Sequence, residues 1–406
     1  MPGLFFEKIR LNNGAWLLFN RSQNNIFAMD ISVNFGSAFE SKRYSGISHF
    51  IEHMFFSGTK RFTRFEISKR IDSVGGYMNA FTSRECISYF VKTEASHSKL
   101  AIETIFDCFN NCQFFKEELE TERKIIANEI RDSYDNPTRH ALIEFAKICL
   151  PENYGRPIAG TEKAISRFKR SDLLKAFRKS HFASNSTISI SAPGDAARYV
   201  SLIEGLLPEK NKRPLNIKKC KVRPRKKESY IKKDIEQAHI CIGFPTESSS
   251  SEAFAALSIL EAILGGGLSS RIIHKVREKY GLSYMTHVFL EAEPRHGCFC
   301  AYLATKPEKA ANAIELVEKE LREIEQGHIN EHELKKAKRY IFGTQTLAWE
   351  DALERTRDAA FALNSGWTWQ EYFSRIKSLT IRELKAAAKN LIDSENLCYL
   401  LLGPEK

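Results

Sequence analysis

The sequence predicts an α+β protein of two homologous domains, each a mostly antiparallel sheet packed with helices. Short runs alternate apolar and polar residues with period two, longer runs carry helical periodicity, and one order of elements recurs in both halves. The first half opens with a strand at Phe27–Phe35, reading FAMDISVNF. A helix follows from about Ser45 to Phe56, and a second, from Arg64 to Val74, stops at Gly75-Gly76. Tyr77–Glu94 is strand-rich, and helical patterns occupy about Ser96–Asn110 and Lys116–Tyr134, the latter ending before Asn136-Pro137. The order then restarts with a strand at Ala238–Thr246 and a helix at Ser251–Leu264 that stops at Gly265-Gly266-Gly267. A helix at Ser269–Lys279, strands at Ser283–Glu291 and Gly297–Ala304, and helices at Pro307–Gln326 and Asn330–Leu363 complete it. Strands and helices do not alternate regularly, which excludes a doubly wound parallel sheet. The expected boundaries are an N-terminal domain at 1–208, a basic linker at 209–228 and a C-terminal domain at 229–406.

Composition narrows the function class. The 406 residues are 43% hydrophobic and 27% charged, an ordinary globular balance that excludes disorder over most of the chain. No run approaches the ~18 apolar residues that a membrane span needs. Net charge is +11, but the stretch Glu209–Lys227 alone contributes +9; Pro208 stands just before it and Pro214 and Pro224 lie within it. That pattern reads as a solvated linker, and with no aromatics between its charges it offers no base-stacking surface, so nucleic acid is not an expected partner. Nine scattered cysteines argue against a disulfide framework and for a reducing compartment. Cys108-x3-Cys112 and Cys298-x-Cys300 lack second pairs at metal-finger spacing and read as buried thiols. Met1–Gly14 shows no signal peptide or presequence, so the expected location is cytoplasmic.

The strongest chemical signal is His49-Phe50-Ile51-Glu52-His53. On a helix, residues i and i+4 share a face, so two imidazoles so placed can ligate one Zn²⁺. Glu52, beside the second ligand, is positioned to work on water as a general base without being a ligand itself. A catalytic zinc usually has three protein ligands, and the candidate third lies in ELETERKIIANEI. There Glu122 and Glu129 are two helical turns apart on one face, with Ile125 and Ile126 between them suggesting a packed helix. Glu129 is the candidate ligand and Glu122 the carboxylate that orients a ligand imidazole or the water. Two satisfied core histidines would show the same spacing. A second copy, His328-Ile329-Asn330-Glu331-His332, opens a strongly polar helix with no acidic helix after it, and reads as a solvated start capped by Asn330.

The chain resembles the pitrilysin-like inverzincin metallopeptidases, the family of insulin-degrading enzyme and the mitochondrial processing peptidases. The blocks GISHFIEHMFFSGTKRF, IDSVGGYMNAFTSRECISYF, ERKIIANEIRDSYDNP, YGRPIAGTEKAI and LGGGLSSRIIHKVREKYGLSY stand in family order across both halves. Size and layout are most similar to the short bacterial processing-peptidase branch. Ser57 departs from a frequent lysine. The resemblance implies one Zn²⁺ per chain held by His49, His53 and Glu129, Glu52 as base, and Glu122 in support. It implies that Asn79, Ala80, Phe81 and Thr82 form an edge strand receiving peptide main chain, and that Arg277 and Tyr284 act on the reacting carbonyl. The implied activity is a zinc endopeptidase cutting short unfolded peptides or presequence-like segments in a clamshell chamber. The alternative is a non-catalytic scaffold or partner subunit of a processing-peptidase-like heterodimer. Metal set and Arg…Tyr pair coexist in this chain, which implies a homodimer with Arg277 and Tyr284 supplied in trans.

Overall fold

The computed structural model describes residues 6–207, 213–217 and 226–404, so most of the basic stretch 209–228 lies outside the described residues. The fold is α+β, built on two sheets. Two compact units emerge, one of Met1–Arg131, Arg156–Ile217 and Ala348–Asn364, the other of Asp132–Gly155, Lys218–Leu347 and Ser365–Lys406. Each therefore includes a segment from the other half of the sequence.

The first unit holds a six-stranded sheet of β1 (Glu7–Arg10), β2 (Trp16–Arg21), β3 (Ile26–Val33), β4 (Tyr77–Thr82), β5 (Ile87–Glu94) and β6 (Ser186–Ala192). Their order is β1-β2-β6-β3-β5-β4, with β2 parallel to β6 and every other pair antiparallel. The second unit holds β7 (Lys227–Lys232), β8 (Ala238–Thr246), β9 (Ser283–Glu293), β10 (His296–Thr305) and β11 (Cys398–Gly403), in the order β7-β11-β8-β10-β9. Here too one pair, β7 with β11, is parallel and the rest antiparallel. Removing β1 makes the two orders correspond strand for strand, which is the duplication read from the repeated order of elements.

Helix α1 (Ile47–Phe55) carries the first histidine pair and buries Ile47, Phe50, Ile51, Met54 and Phe55. Phe55 stacks on Tyr89 of β5 with ring centroids 3.6 Å apart, which seats the helix on the sheet. Helix α2 (Arg64–Asp72) starts with a capping box between Thr63 and Glu66. After α3 (Ser98–Asn111) comes α4 (Lys116–Asp135), which buries Leu119, Glu122, Ile126 and Ile130. Ile125, expected to pack with Ile126, is instead 39% exposed, because it lies off the narrow buried stripe that runs 119–122–126–130. Asn136 caps α5 (Pro137–Cys149) through the N–H of Arg139, with Pro137 at its first turn.

The single helix expected over Asn330–Leu363 is two, Glu331–Ala348 and Ala352–Ser365. The chain breaks at Trp349-Glu350-Asp351, where local side-chain bonds compete with helical ones. Asp351 accepts the Leu353 N–H at 2.8 Å, Trp349 Nε1 donates to Asp358 at 2.7 Å, and Arg355 donates to the Trp349 carbonyl at 2.6 Å. The second helix then packs Ala352 and Leu353 on Ala28 of β3 and Phe90 of β5. The helix expected at Ser269–Lys279 is a short α turn, Arg271–Ile273, running into a π-helical stretch, His274–Lys279. Cys108, Cys112, Cys298 and Cys300 are buried free thiols. Among the described residues, no helix is long and apolar enough to cross a membrane.

Candidate metal centre

Local chain chemistry fixes where α1 begins. Gly46 precedes it at φ +94°, a left-handed conformation open to glycine. A Cβ there would stand 2.5 Å from the Ala159 carbonyl oxygen, so the segment around Ala159 packs directly on the start of the helix. The buried Glu40 carboxylate accepts the N–H groups of Gly46 and Ser48, both at 2.8 Å, and the Ser48 hydroxyl at 2.5 Å. Satisfying these orphan donors holds α1 in register with what surrounds it, while burial pushes the Glu40 carboxyl up to about 7.

That register places His49 and His53 side by side, with ring centroids 4.6 Å apart. Helix α4 brings Glu129 against both: its Oε2 lies 3.3 Å from His53 Nε2 and 3.8 Å from His49 Nε2. A tetrahedral ion with bonds of about 2.0–2.1 Å spaces its ligand atoms about 3.3 Å apart, so the donor set fits zinc in kind and spacing. Among the described residues this is the one cluster of histidine, cysteine and carboxylate atoms close enough to hold an ion.

Glu122, nearly fully buried, accepts from His53 Nδ1 at 2.8 Å. This bond puts a proton on Nδ1 and turns Nε2 toward Glu129 as the nitrogen that would ligate an ion. Arg64 spans Glu118 and Glu122, bonding the first at 2.9 Å and pairing closely with the second. Burial would raise the Glu122 carboxyl, but His53 and Arg64 hold it below the usual range. The hydrogen bond from His53 likewise keeps Glu129 low. Burial lowers His53, yet Glu122 and Glu129 lift it to about 9, whereas burial and the neighbouring His53 depress His49 to about 4. Among the described residues, His49 Nδ1 is buried without a hydrogen-bond partner.

Glu52 stands outside this donor set. Burial raises its carboxyl, against a 2.7 Å hydrogen bond in which Thr82 Oγ1 donates to Oε2. Asn79, Ala80, Phe81 and Thr82 all lie on β4, the edge of its sheet. The second-half residues lie in the other unit. Arg277 is exposed in the π-helical stretch and ion-pairs with Glu278 at 3.4 Å; Tyr284 is in β9, its side chain outside the described residues. Among the described residues, the second HxxEH copy joins no group of donors that could hold an ion. His328 is exposed on Glu323, and Asn330 caps its helix through the Glu333 N–H at 3.0 Å. Sequence reasoning missed Glu40 and Arg64, and took Thr82 only for its main chain. An acidic residue just upstream of a glycine-initiated helix is a usable signal for Glu40, but nothing in sequence spacing points Arg64 at Glu122.

The model of the insulinase family, peptidase family M16, matches residues 17–162, and that of the peptidase M16 inactive domain matches residues 167–341. An uncharacterized zinc protease of Rickettsia bellii is 30% identical over 98% of this chain and 98% of its own length. The uncharacterized zinc protease YmxG of Bacillus subtilis is 27% identical over 93% of each chain. Among solved structures, a protease from Helicobacter pylori superposes with a TM-score of 0.91 at 20% identity, covering 98% of this chain and all of the other. A peptidase M16 inactive domain from Pseudomonas fluorescens gives the same score at 19% identity over 99% of both chains. With both halves matched in sequence and the whole length matched in fold, the chain belongs to peptidase family M16.

Proposed function

We propose that the protein is a zinc endopeptidase that hydrolyses short unfolded peptides. The observation that carries this reading is the meeting of His49, His53 and Glu129 with Glu52 set beside them but outside the set. Bound zinc supplies Lewis acidity, polarising a carbonyl and lowering the pKa of water. Glu52 takes the proton from the attacking water and returns it to the leaving amine. The free edge of β4 receives the peptide main chain as an added strand, giving affinity with loose sequence preference. Arg277 and Tyr284 supply donors to the developing oxyanion, and the protein works as a homodimer in which each subunit offers these donors to its partner's centre. Support for the dimer is the coexistence of metal set and Arg…Tyr pair in one chain. The alternative of a non-catalytic partner subunit has no observation in its favour, since none of the proposed centre's residues is missing from this chain.

The test is Glu52→Gln. The variant is expected to keep its zinc while peptide hydrolysis falls by about 10²–10⁴-fold, the usual contribution of a positioned base. Turnover at the wild-type rate in a zinc-loaded Glu52→Gln protein rejects the proposal.

A further inference from the structure

Strand β4 has two sets of residues with different tasks. Tyr77, Asn79 and Phe81 share a face with Phe90 of β5, their cross-strand neighbour. Met78, Ala80 and Thr82 take the opposite face, the one on which Thr82 reaches Glu52 of α1. Main-chain direction follows from the hairpin. The Ser83 N–H donates to the Cys86 carbonyl at 2.8 Å, so Ser83 and Cys86 are a hydrogen-bonded pair. Antiparallel pairs alternate, which makes Thr82 opposite Ile87 the next, non-bonded pair. Thr82 and Ala80 therefore turn their N–H and C=O groups away from β5, toward the free edge. The Ala80 N–H agrees: it is held at 2.8 Å by its neighbour's side chain, Asn79 Oδ1.

Thr82 thus faces two ways. Its main chain lies on the edge open to an added strand, and its hydroxyl holds the Glu52 carboxylate. We infer that Thr82 is a positioning residue for hydrolysis, fixing the Glu52 carboxylate in line with the peptide that its own main chain receives. The inference rests on the peptidase reading above. A glutamate side chain has three rotatable bonds, and a base misplaced by an ångström loses much of its effect. Thr82 removes that freedom with a β-branched side chain, stiff at χ1, on a paired strand. Its bond occupies Glu52 Oε2 and leaves Oε1 for the proton. Because strand and base are tied through one residue, a peptide seated on β4 is registered against Glu52 without any contact from its side chains. This matches a protease that reads main chain more than sequence.

The experiment compares wild type, Thr82→Val and Thr82→Ser as full-length, zinc-loaded proteins on a quenched-fluorophore library of unstructured peptides. Valine keeps shape and β-branching and removes the hydroxyl; serine keeps the hydroxyl. For Thr82→Val, kcat is expected to fall about ten- to a hundredfold with KM within about twofold, zinc content intact and melting midpoint near wild type. Thr82→Ser is expected to recover to within about threefold of wild type. A Thr82→Val enzyme that matches an active wild type overturns the inference and leaves the peptidase reading standing. So does a loss that appears in KM, in zinc content or in the melting midpoint, or one that serine fails to rescue. A zinc-loaded wild type that cleaves no peptide overturns both. If the valine variant does not fold, Thr82→Ala carries the same expectations.

Discussion

His53 shows how much a single hydrogen bond decides. Its Nδ1 is committed to Glu122, and only that commitment leaves Nε2 to face Glu129. Glu122→Gln keeps an acceptor for Nδ1 but removes the charge that Arg64 and the imidazole balance. It is expected to lower zinc affinity about tenfold, the usual cost of losing a partner behind a metal ligand, with the fold retained. Titration of the chelator-stripped protein with zinc in a competing-indicator assay measures this, and an unchanged affinity would show that Glu122 is merely a buried counter-ion. Residues of this kind were legible in the sequence to different degrees. His49, Glu52 and His53 were plain because four-residue helical spacing forces them together. Glu129 and Glu122 were legible as a pair on one helical face, but which residue faces which nitrogen depends on how α4 crosses α1, and spacing does not encode that.

At the scale of elements, the helix Ala352–Ser365 is the instructive case. Its helical pattern runs on from Glu331–Ala348, so the sequence reads as one long helix, and the break follows from side-chain bonds of Trp349, Asp351 and Arg355. The helix lies on the sheet of the first unit, tied by Lys92 to Asp351 at 3.2 Å and by Arg355 to Ser191 at 3.2 Å. Beneath it Asp30 is buried with one oxygen held by Ser88 and, among the described residues, the other without a hydrogen-bond partner. Burial raises its carboxyl to about 7, against the pull of Ser88 and Arg357. The folded state therefore favours the protonated acid. As pH rises from the unfolded value near 4 to about 7, the unfolded chain loses this proton first, and stability falls on that account. Asp30→Asn removes the effect. Its stability advantage over wild type is expected to be absent near pH 4 and to grow to a few kcal/mol by pH 7.5, read from urea unfolding across that range. A constant difference at all pH values would place the proton elsewhere. Strand edges and helix stops were easier: Ala238–Thr246 falls where it was read and α4 ends at Asp135, before Asn136-Pro137, whereas α5, which that pair opens, went unread. Strands β1, β2, β6, β7 and β11 went unread, being short or set between stronger helical signals, and their pairing joins residues far apart in sequence.

For the whole molecule, duplication was visible as a repeated order of elements, and both sheets bear it out down to the single parallel pair in each. The exchange of segments 132–155 and 348–364 between units was not visible, because periodicity reports which face is apolar and not which sheet covers it. The proposed homodimer is tested by mixing two inactive variants, Glu52→Gln and Arg277→Ala, under conditions that exchange subunits. Random pairing gives half heterodimers with one intact centre in two, so about a quarter of wild-type activity is expected to return. No recovery from subunits shown to have exchanged means that each chain serves its own centre, and an Arg277→Ala protein that is fully active alone means that Arg277 has no part. Beneath all of these lies the claim that His49, His53 and Glu129 together hold one zinc ion per chain. Its most direct test is zinc counted by mass spectrometry after dialysis against a weak chelator, in wild type and in the variant with all three residues changed to alanine. One zinc per wild-type chain and none in the folded triple variant is the expected result; equal zinc in both would place the metal somewhere else and dissolve the site.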